Sequence, residues 1–166
     1  MAVILGKPAA PIPTTQFVIG QSKTFTAPLT GRIKVIITGG GGQGAFLANK
    51  SASIDQNQGD ATGGGGGGYS EKTFNVTAGE TFTVTIGAGG ATTLAMNDIN
   101  SSRVGNNGGN SSFVTASAAV SVNMAANGGG GGQFNAPTSR AVSTAGGAGG
   151  TASGGDFNYT GGTGGT

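Results

Sequence analysis

The chain has 166 residues, of which 37 are glycine and only 8% are charged; it has no cysteine and no histidine, and its net charge is +2. Ordinary chains carry about 7% glycine, so backbone without side chains is the dominant material here. The composition excludes a disulfide framework, a thiolate metal site and histidine acid–base chemistry, and 35% hydrophobic residues with a small net charge do not fit the charged disordered class.

Residues 1–22 are punctuated by Pro8, Pro11 and Pro13, which favour extended backbone, and they read as an N-terminal arm. Val3, Ile4, Leu5, Ile12, Phe17, Val18 and Ile19 follow no period, yet they are numerous for a solvated tail. They are the candidates for attachment to a partner protein, where each large side chain contributes roughly 1.5–3 kcal/mol on burial before ordering entropy is subtracted. The competing expectation is that they complete the domain's own sheet. The short apolar run 2–5 has no basic flank and is followed by prolines, so neither a signal peptide nor membrane insertion is expected. Cytoplasmic synthesis is the corresponding expectation.

Strands begin at Lys23. In 32–38, Ile33, Val35 and Ile37 share one face and Lys34 takes the other. Further on, 69–76 and 81–86 flank Thr77-Ala78-Gly79-Glu80, and Phe82, Val84 and Ile86 alternate with Thr81, Thr83 and Thr85. This predicts a half-buried hairpin with a positive φ at Gly79. Weaker strands are predicted at 112–115, burying Phe113, and at 120–124, where Val120, Val122 and Met124 share a face. The stretch 45–58 shows no 3.6-residue period and reads as a loop, so no helix is expected.

Glycine runs separate these strands, at 39–42, 63–68, 87–90, 105–109, 128–132, 146–150 and 161–165. Ordering a glycine costs roughly 0.5–1 kcal/mol more than ordering an alanine, so 37 of them oppose folding by on the order of 20–35 kcal/mol. Disordered linkers avoid that cost but repeat the cost of loop closure around isolated strands. Packed polyglycine II, a threefold helix rising about 3.1 Å per residue without internal hydrogen bonds, offsets it. Its outward N–H and C=O groups bond neighbouring helices, which approach closely because no Cβ intervenes. Gly65, Gly66, Gly129 and Gly130 are the candidates for this packing.

Other motifs carry no chemistry. Gly39-x-Gly41-x-x-Gly44 matches the dinucleotide fingerprint, but neither a following helix nor an acidic residue about 20 positions on is convincing. Gly154-Gly155-Asp156 stands alone rather than in a calcium-binding repeat and reads as a turn. The six carboxylates, Asp55, Asp60, Glu71, Glu80, Asp98 and Asp156, are too scattered to nominate an acid–base pair. The cations are equally scattered, which argues against a nucleic-acid partner. No catalytic residue, metal site or cofactor is expected. The predicted fold is all-β, a small β-sandwich or jelly-roll-like body of short antiparallel strands interleaved with packed polyglycine II. Its expected division is an arm at 1–22, a glycine-rich β domain at 23–132 and a Gly/Ser/Thr/Ala-rich extension at 133–166, where packed and loose glycine are evenly balanced.

The order Thr24-Phe25-Thr26-Ala27-Pro28, then 33–42, then Tyr69-Ser70-Glu71-Lys72-Thr73-Phe74-Asn75-Val76 and Thr81-Phe82-Thr83-Val84-Thr85-Ile86-Gly87-Ala88-Gly89-Gly90 resembles the glycine-rich domain of bacteriophage tail proteins. Gly109-Asn110-Ser111-Ser112-Phe113 and 125–132 continue the likeness. The resemblance implies a structural virion protein of a tail fibre, spike or tip, commonly a homotrimer, partnered by other tail or baseplate proteins through its arm. It also implies two alternatives: a receptor-binding adhesin that uses exposed loops on the host surface, or, less in keeping with the carboxylates, a polysaccharide-degrading spike.

Overall fold

The computed structural model describes residues 19–46, 61–91, 104–134 and 144–166. These residues form two antiparallel sheets and, among them, no helix. Strands β1 (Lys23–Thr26), β4 (Thr81–Thr85), β5 (Ser111–Ser117), β6 (Asn123–Ala126) and β7 (Ala152–Ser153) make a five-stranded sheet in the order β1-β4-β5-β6-β7. Strands β2 (Gly31–Thr38), β3 (Tyr69–Val76) and β8 (Phe157–Tyr159) make a three-stranded sheet in the order β2-β3-β8. The sheets pack face to face as a small β-sandwich, and the core lies between their inner faces.

Alternation decides which side chains enter that core. In β4, Phe82 and Val84 are buried while Thr83 and Thr85 face solvent. From β5 and β6 come Phe113, Met124 and Ala126; Ile37, Phe74 and Val76 meet them from the opposite sheet. Four aromatic rings lock the centre. Phe82 stacks on Phe113 with centroids 4.9 Å apart, Phe74 meets Phe82 edge-on at 5.7 Å, and Phe25 leans on both Phe82 and Phe113. Edge-to-face and stacked aromatic pairs add about 0.5–1.5 kcal/mol each beyond the area they bury.

The stretch 69–86 corrects the hairpin expected there. The turn itself forms: Glu80 N–H donates to Thr77 O at 3.1 Å, and Gly79 takes φ 90°. The two strands nevertheless do not pair. β3 pairs with β2 and β8, and β4 pairs with β1 and β5. The turn is therefore an arch from one sheet to the other, and Phe74 and Phe82 meet across the core. The physical reason is that both strands carry their large apolar residues on one face. Stacking the two faces buries Phe74, Val76, Phe82 and Val84 together, whereas a hairpin would set them side by side and leave the shared face to be covered from elsewhere.

Two smaller expectations also shift. The strand predicted at 120–124 runs instead over Asn123–Ala126; Val122 is buried ahead of it, but Val120 is exposed. Ile86 lies just beyond β4 and is exposed as well, so it does not share the burial of Phe82 and Val84. Within 133–166, β7 joins one sheet and β8 the other.

Glu80 fixes the arch. Its carboxylate accepts from Thr77 N–H at 2.9 Å and from Ala119 N–H at 2.8 Å, tying the turn to the β5–β6 connection. These backbone donors, Ala119 foremost, hold the carboxyl below its ordinary value of 4.5. A depressed folded value means stability that is present above pH 4.5 and lost as pH falls through the folded value. Glu80→Ala is therefore expected to melt below wild type at neutral pH, with the gap closing in acid. Melting curves across pH check this, and a gap independent of pH would refute it. Phe82, which has no exposed surface, is expected to cost ~3–5 kcal/mol as Phe82→Ala, while Thr83→Ser stays within about 0.5 kcal/mol. Denaturant titration of the two variants reads this contrast directly.

Candidate functional site: a polyglycine lattice

At one end of the sandwich the strands run on as extended glycine segments. Segments I (39–45), II (62–68) and VII (160–166) continue the three-stranded sheet. Segments III (86–91), IV (104–110), V (127–133) and VI (144–151) continue the five-stranded one. The odd-numbered segments leave the sheets and the even-numbered ones return. At a rise of about 3.1 Å, seven residues span about 20 Å.

The bonds between them repeat every third residue, as a threefold helix requires. The amides of Gly39, Gly42 and Ala45 in segment I donate to Gly68, Gly65 and Thr62 of segment II, at 2.9, 2.7 and 2.9 Å. Those of Gly40 and Gln43 donate instead to Gly109 and Asn106 of segment IV, both at 2.9 Å. Segment II in turn sends Thr62, Gly65 and Gly68 to segment V, and Gly63 and Gly66 to segment VII. Segment VI sends Gly147 and Gly150 back to segment II. Segment III bonds I and IV; segment V bonds I and VI, and receives from IV; segment VII bonds VI. One arrangement satisfies all of these pairings: a triangular array with III, I, II and VII in one layer and IV, V and VI in the next. The three-stranded sheet thus passes into segments I, II and VII of one layer and strands β5, β6 and β7 into the other, while segment III, which follows β4, joins the end of the first layer.

Side chains shrink toward the junction so that the layers can meet. On inner faces Phe113 is followed toward the lattice by Ser111 and Gly109, Met124 by Ala126 and Gly128, and Phe74, beyond Lys72, by Ser70 and Gly68. Buried Ser111 accepts from Gly87 N–H at 2.9 Å, and buried Ser70 donates to Asn158 Oδ1 at 2.8 Å. Face-to-face sheets stand about 10 Å apart; beyond the serines that gap closes to direct backbone hydrogen bonds.

The number of neighbours sets the glycine requirement. In segment II a Cβ on Gly64, Gly65, Gly67 or Gly68 would fall on a neighbouring backbone carbonyl, whereas Gly63 and Gly66 have 3.2 and 3.4 Å. Segment V has no room at Gly128, Gly129, Gly131 or Gly132. At the lattice edge, segment VII is blocked only at Gly161 and Gly164. Of the four predicted packing glycines, a Cβ on Gly65 or Gly129 would fall on Ala148 O or Gly65 O respectively, and one on Gly130 would come within 2.9 Å of Ala148 N. Gly66 is exposed, and its position tolerates a Cβ.

Among the attachment candidates, Val3, Ile4, Leu5, Ile12, Phe17 and Val18 lie outside the described residues. Ile19 is half-buried and packs against the core, and Ser22 Oγ accepts from Ile86 N–H at 2.9 Å. Gly39, Gly41 and Gly44 belong to segment I, with no helix after them among the described residues, so the dinucleotide pattern is lattice sequence. Gly154, at φ 78°, makes the β7–β8 turn, and Asp156 accepts from Thr73 N–H at 2.9 Å and Lys72 Nζ at 3.3 Å. Those donors, Thr73 first, hold its carboxyl below its ordinary value. The Glu71 carboxyl is held low by Lys34 and then by the Tyr69 hydroxyl, which donates to it at 2.7 Å.

Sequence reasoning passed over Asn107, Asn110 and Thr62. Asn107 Oδ1 and Asn110 Oδ1 accept from the amides of Gly131 and Gly128, at 2.8 and 2.9 Å, and Thr62 Oγ1 accepts from Gln133 N–H at 2.8 Å. The signal was available as two asparagines three residues apart in a glycine run, the lattice period itself.

A family model described as a glycine-rich domain matches residues 15–166. The chain belongs to this glycine-rich domain family. No curated protein matches it. The match takes in the lattice and both sheets, so for this member of the glycine-rich domain family the shared feature and the structural core coincide.

Substituting neighbours in one run separates packed glycine from linker. Gly65→Ala is expected to cost roughly 2–5 kcal/mol, because the Cβ displaces backbone whose polar groups then lose their partners. Gly66→Ala is expected to be neutral or to stabilise by up to about 1 kcal/mol through the unfolded chain. Melting of dilute samples checks both, and coincident melts for the two variants would refute the packing.

Proposed function

We propose that this chain is a non-enzymatic structural subunit of a bacteriophage tail appendage, a fibre, spike or tip, joined to tail or baseplate proteins through residues before 19. The carrying observation is the direction of the seven segments. The sequence intervals 47–60, 92–103 and 135–143 each begin on an outgoing segment and end on a returning one, so all three are anchored at the distal end of a lattice held by backbone bonds. That is the architecture of a rigid spacer that presents material at its tip. The carboxylates Glu71, Glu80 and Asp156 serve structural bonds, which further favours a scaffold over a hydrolase. The same distal anchoring favours a second reading, in which the three intervals bind the host surface directly.

The test removes residues 2–18, which precede the described sheet. The truncated chain is expected to keep the melting temperature of the body and to be lost from particles assembled without the full-length protein. Normal incorporation would overturn attachment through the arm, and an unfolded body would show instead that the arm completes the domain. Binding of the purified full chain to host cells, abolished by replacing 92–103 with a neutral linker, would favour the second reading.

A further inference from the structure

The two outer faces of the lattice are finished differently. On the face of the IV-V-VI layer, the amides of Gly128 and Gly131 bond no backbone carbonyl, and the side chains of Asn110 and Asn107 in segment IV cap them. Gln133 Nε2 adds a bond to Gly131 O at 3.3 Å. Side chains close that face. The III-I-II-VII layer has no such cover among the described residues. In segment II, residues 62, 63, 65, 66 and 68 use both amide and carbonyl within the lattice, but Gly64 and Gly67 use neither. Four of the six directions around segment II are filled by I, V, VI and VII, so these groups point out of the layer. Among the described residues the amides of Gly41 and Gly44 are likewise without a partner.

Among the described residues no side chain stands on this face where Gly41, Gly44, Gly66, Gly89, Gly162 and Gly165 are exposed. A Cβ would have 3.4 Å or more at each of the first four, and nothing within 4 Å at Gly162 or Gly165. Within one subunit these glycines are unnecessary, and each adds the entropic cost of ordering glycine. The bare face continues onto the outer face of the three-stranded sheet, where Ile36, Phe157 and Tyr159 are exposed and Tyr159 leans on Tyr69 at 5.9 Å.

We propose that this face is the docking surface for a second copy of the chain, with the two III-I-II-VII layers bonded to each other. A second layer of glycine backbone can reach Gly64, Gly67, Gly41 and Gly44 together, because no Cβ on either side holds the two layers apart, and the chain itself carries such a surface. Direction is no obstacle, because segment I already bonds V in parallel and II antiparallel. Like meets like: glycine layers touch while the Ile36, Tyr69, Phe157 and Tyr159 side chains separate the sheets, repeating the spacing change within each subunit. The pairing is two-fold, unlike the trimer that the phage-tail resemblance implies. It stands whether or not the tail reading holds.

Sedimentation of the full chain over a wide concentration range tests it. Wild type is expected to form dimers, Gly41→Leu with Gly66→Leu to remain monomeric, and Ala148→Leu on the capped layer to dimerise normally. Hydrogen exchange covers the case in which the double variant misfolds: in wild type the amides of Gly41, Gly44, Gly64 and Gly67 should gain protection as concentration rises. Wild type that stays monomeric, a dimer indifferent to the Gly41 and Gly66 substitutions, a trimer, or exchange at those amides that ignores concentration would each overturn the proposal.

Discussion

The hydrogen bond between backbones of neighbouring glycine segments is the constraint on which the rest of this molecule depends. A polyglycine II helix makes no bonds within itself, so an isolated segment is merely solvated chain. Buried, its amides and carbonyls must all find partners, and those partners exist only if other segments arrive parallel to it at backbone contact. Segment II shows the outcome: Gly65 donates to Gly130 and accepts from Gly42, both within 2.8 Å. The β-sandwich brings seven chain segments side by side in register, which the glycines could not do alone.

The sandwich and the lattice impose opposite demands on spacing, and the transition between them is written in side-chain size. A core containing Phe82, Phe113 and Met124 needs sheets well apart; a layer pair bonded by Gly40 and Gly129 needs none of that volume. The intermediate serines Ser70 and Ser111 are small enough to sit where the sheets converge and polar enough to serve groups stranded there. Lattice geometry also explains why the chain is not a simple Gly-x-y repeat. Segments II and V lack room for a Cβ at two of three positions or more, while segments I, III, IV and VII admit Gln43, Ala88, Asn107 or Thr163.

Much of this was legible in the sequence, and the limits are physical. Alternation in 81–85 correctly assigned Phe82 and Val84 to the core, because period-two patterning reports which face is buried. It does not report which strand lies alongside, and so 69–86 read equally well as a hairpin or as an arch between sheets. Val120 and Ile86 matched the apolar phase but lie beyond the strand ends, where phase has no consequence. β7 and β8 are two and three residues long, too short for any periodicity. Within uninterrupted glycine the three-residue period leaves no compositional mark, so Gly65 and Gly66 looked equivalent. It surfaces only where other residues intrude, as at Asn107 and Asn110.

The order in which the chain visits the lattice gives it a mechanical character. Each of the three distal intervals joins a consecutive pair of segments, I with II, III with IV and V with VI, and each pair is bonded directly to itself. A pull applied at the distal end is therefore directed along the segment axes, and it loads the inter-segment bonds in shear. Bonds such as those from Gly39, Gly42 and Ala45 share that load together instead of parting one after another. Displacing one segment lengthwise means breaking its whole row at once, which gives a body made largely of the most flexible residue a high resistance to stretching along its long axis.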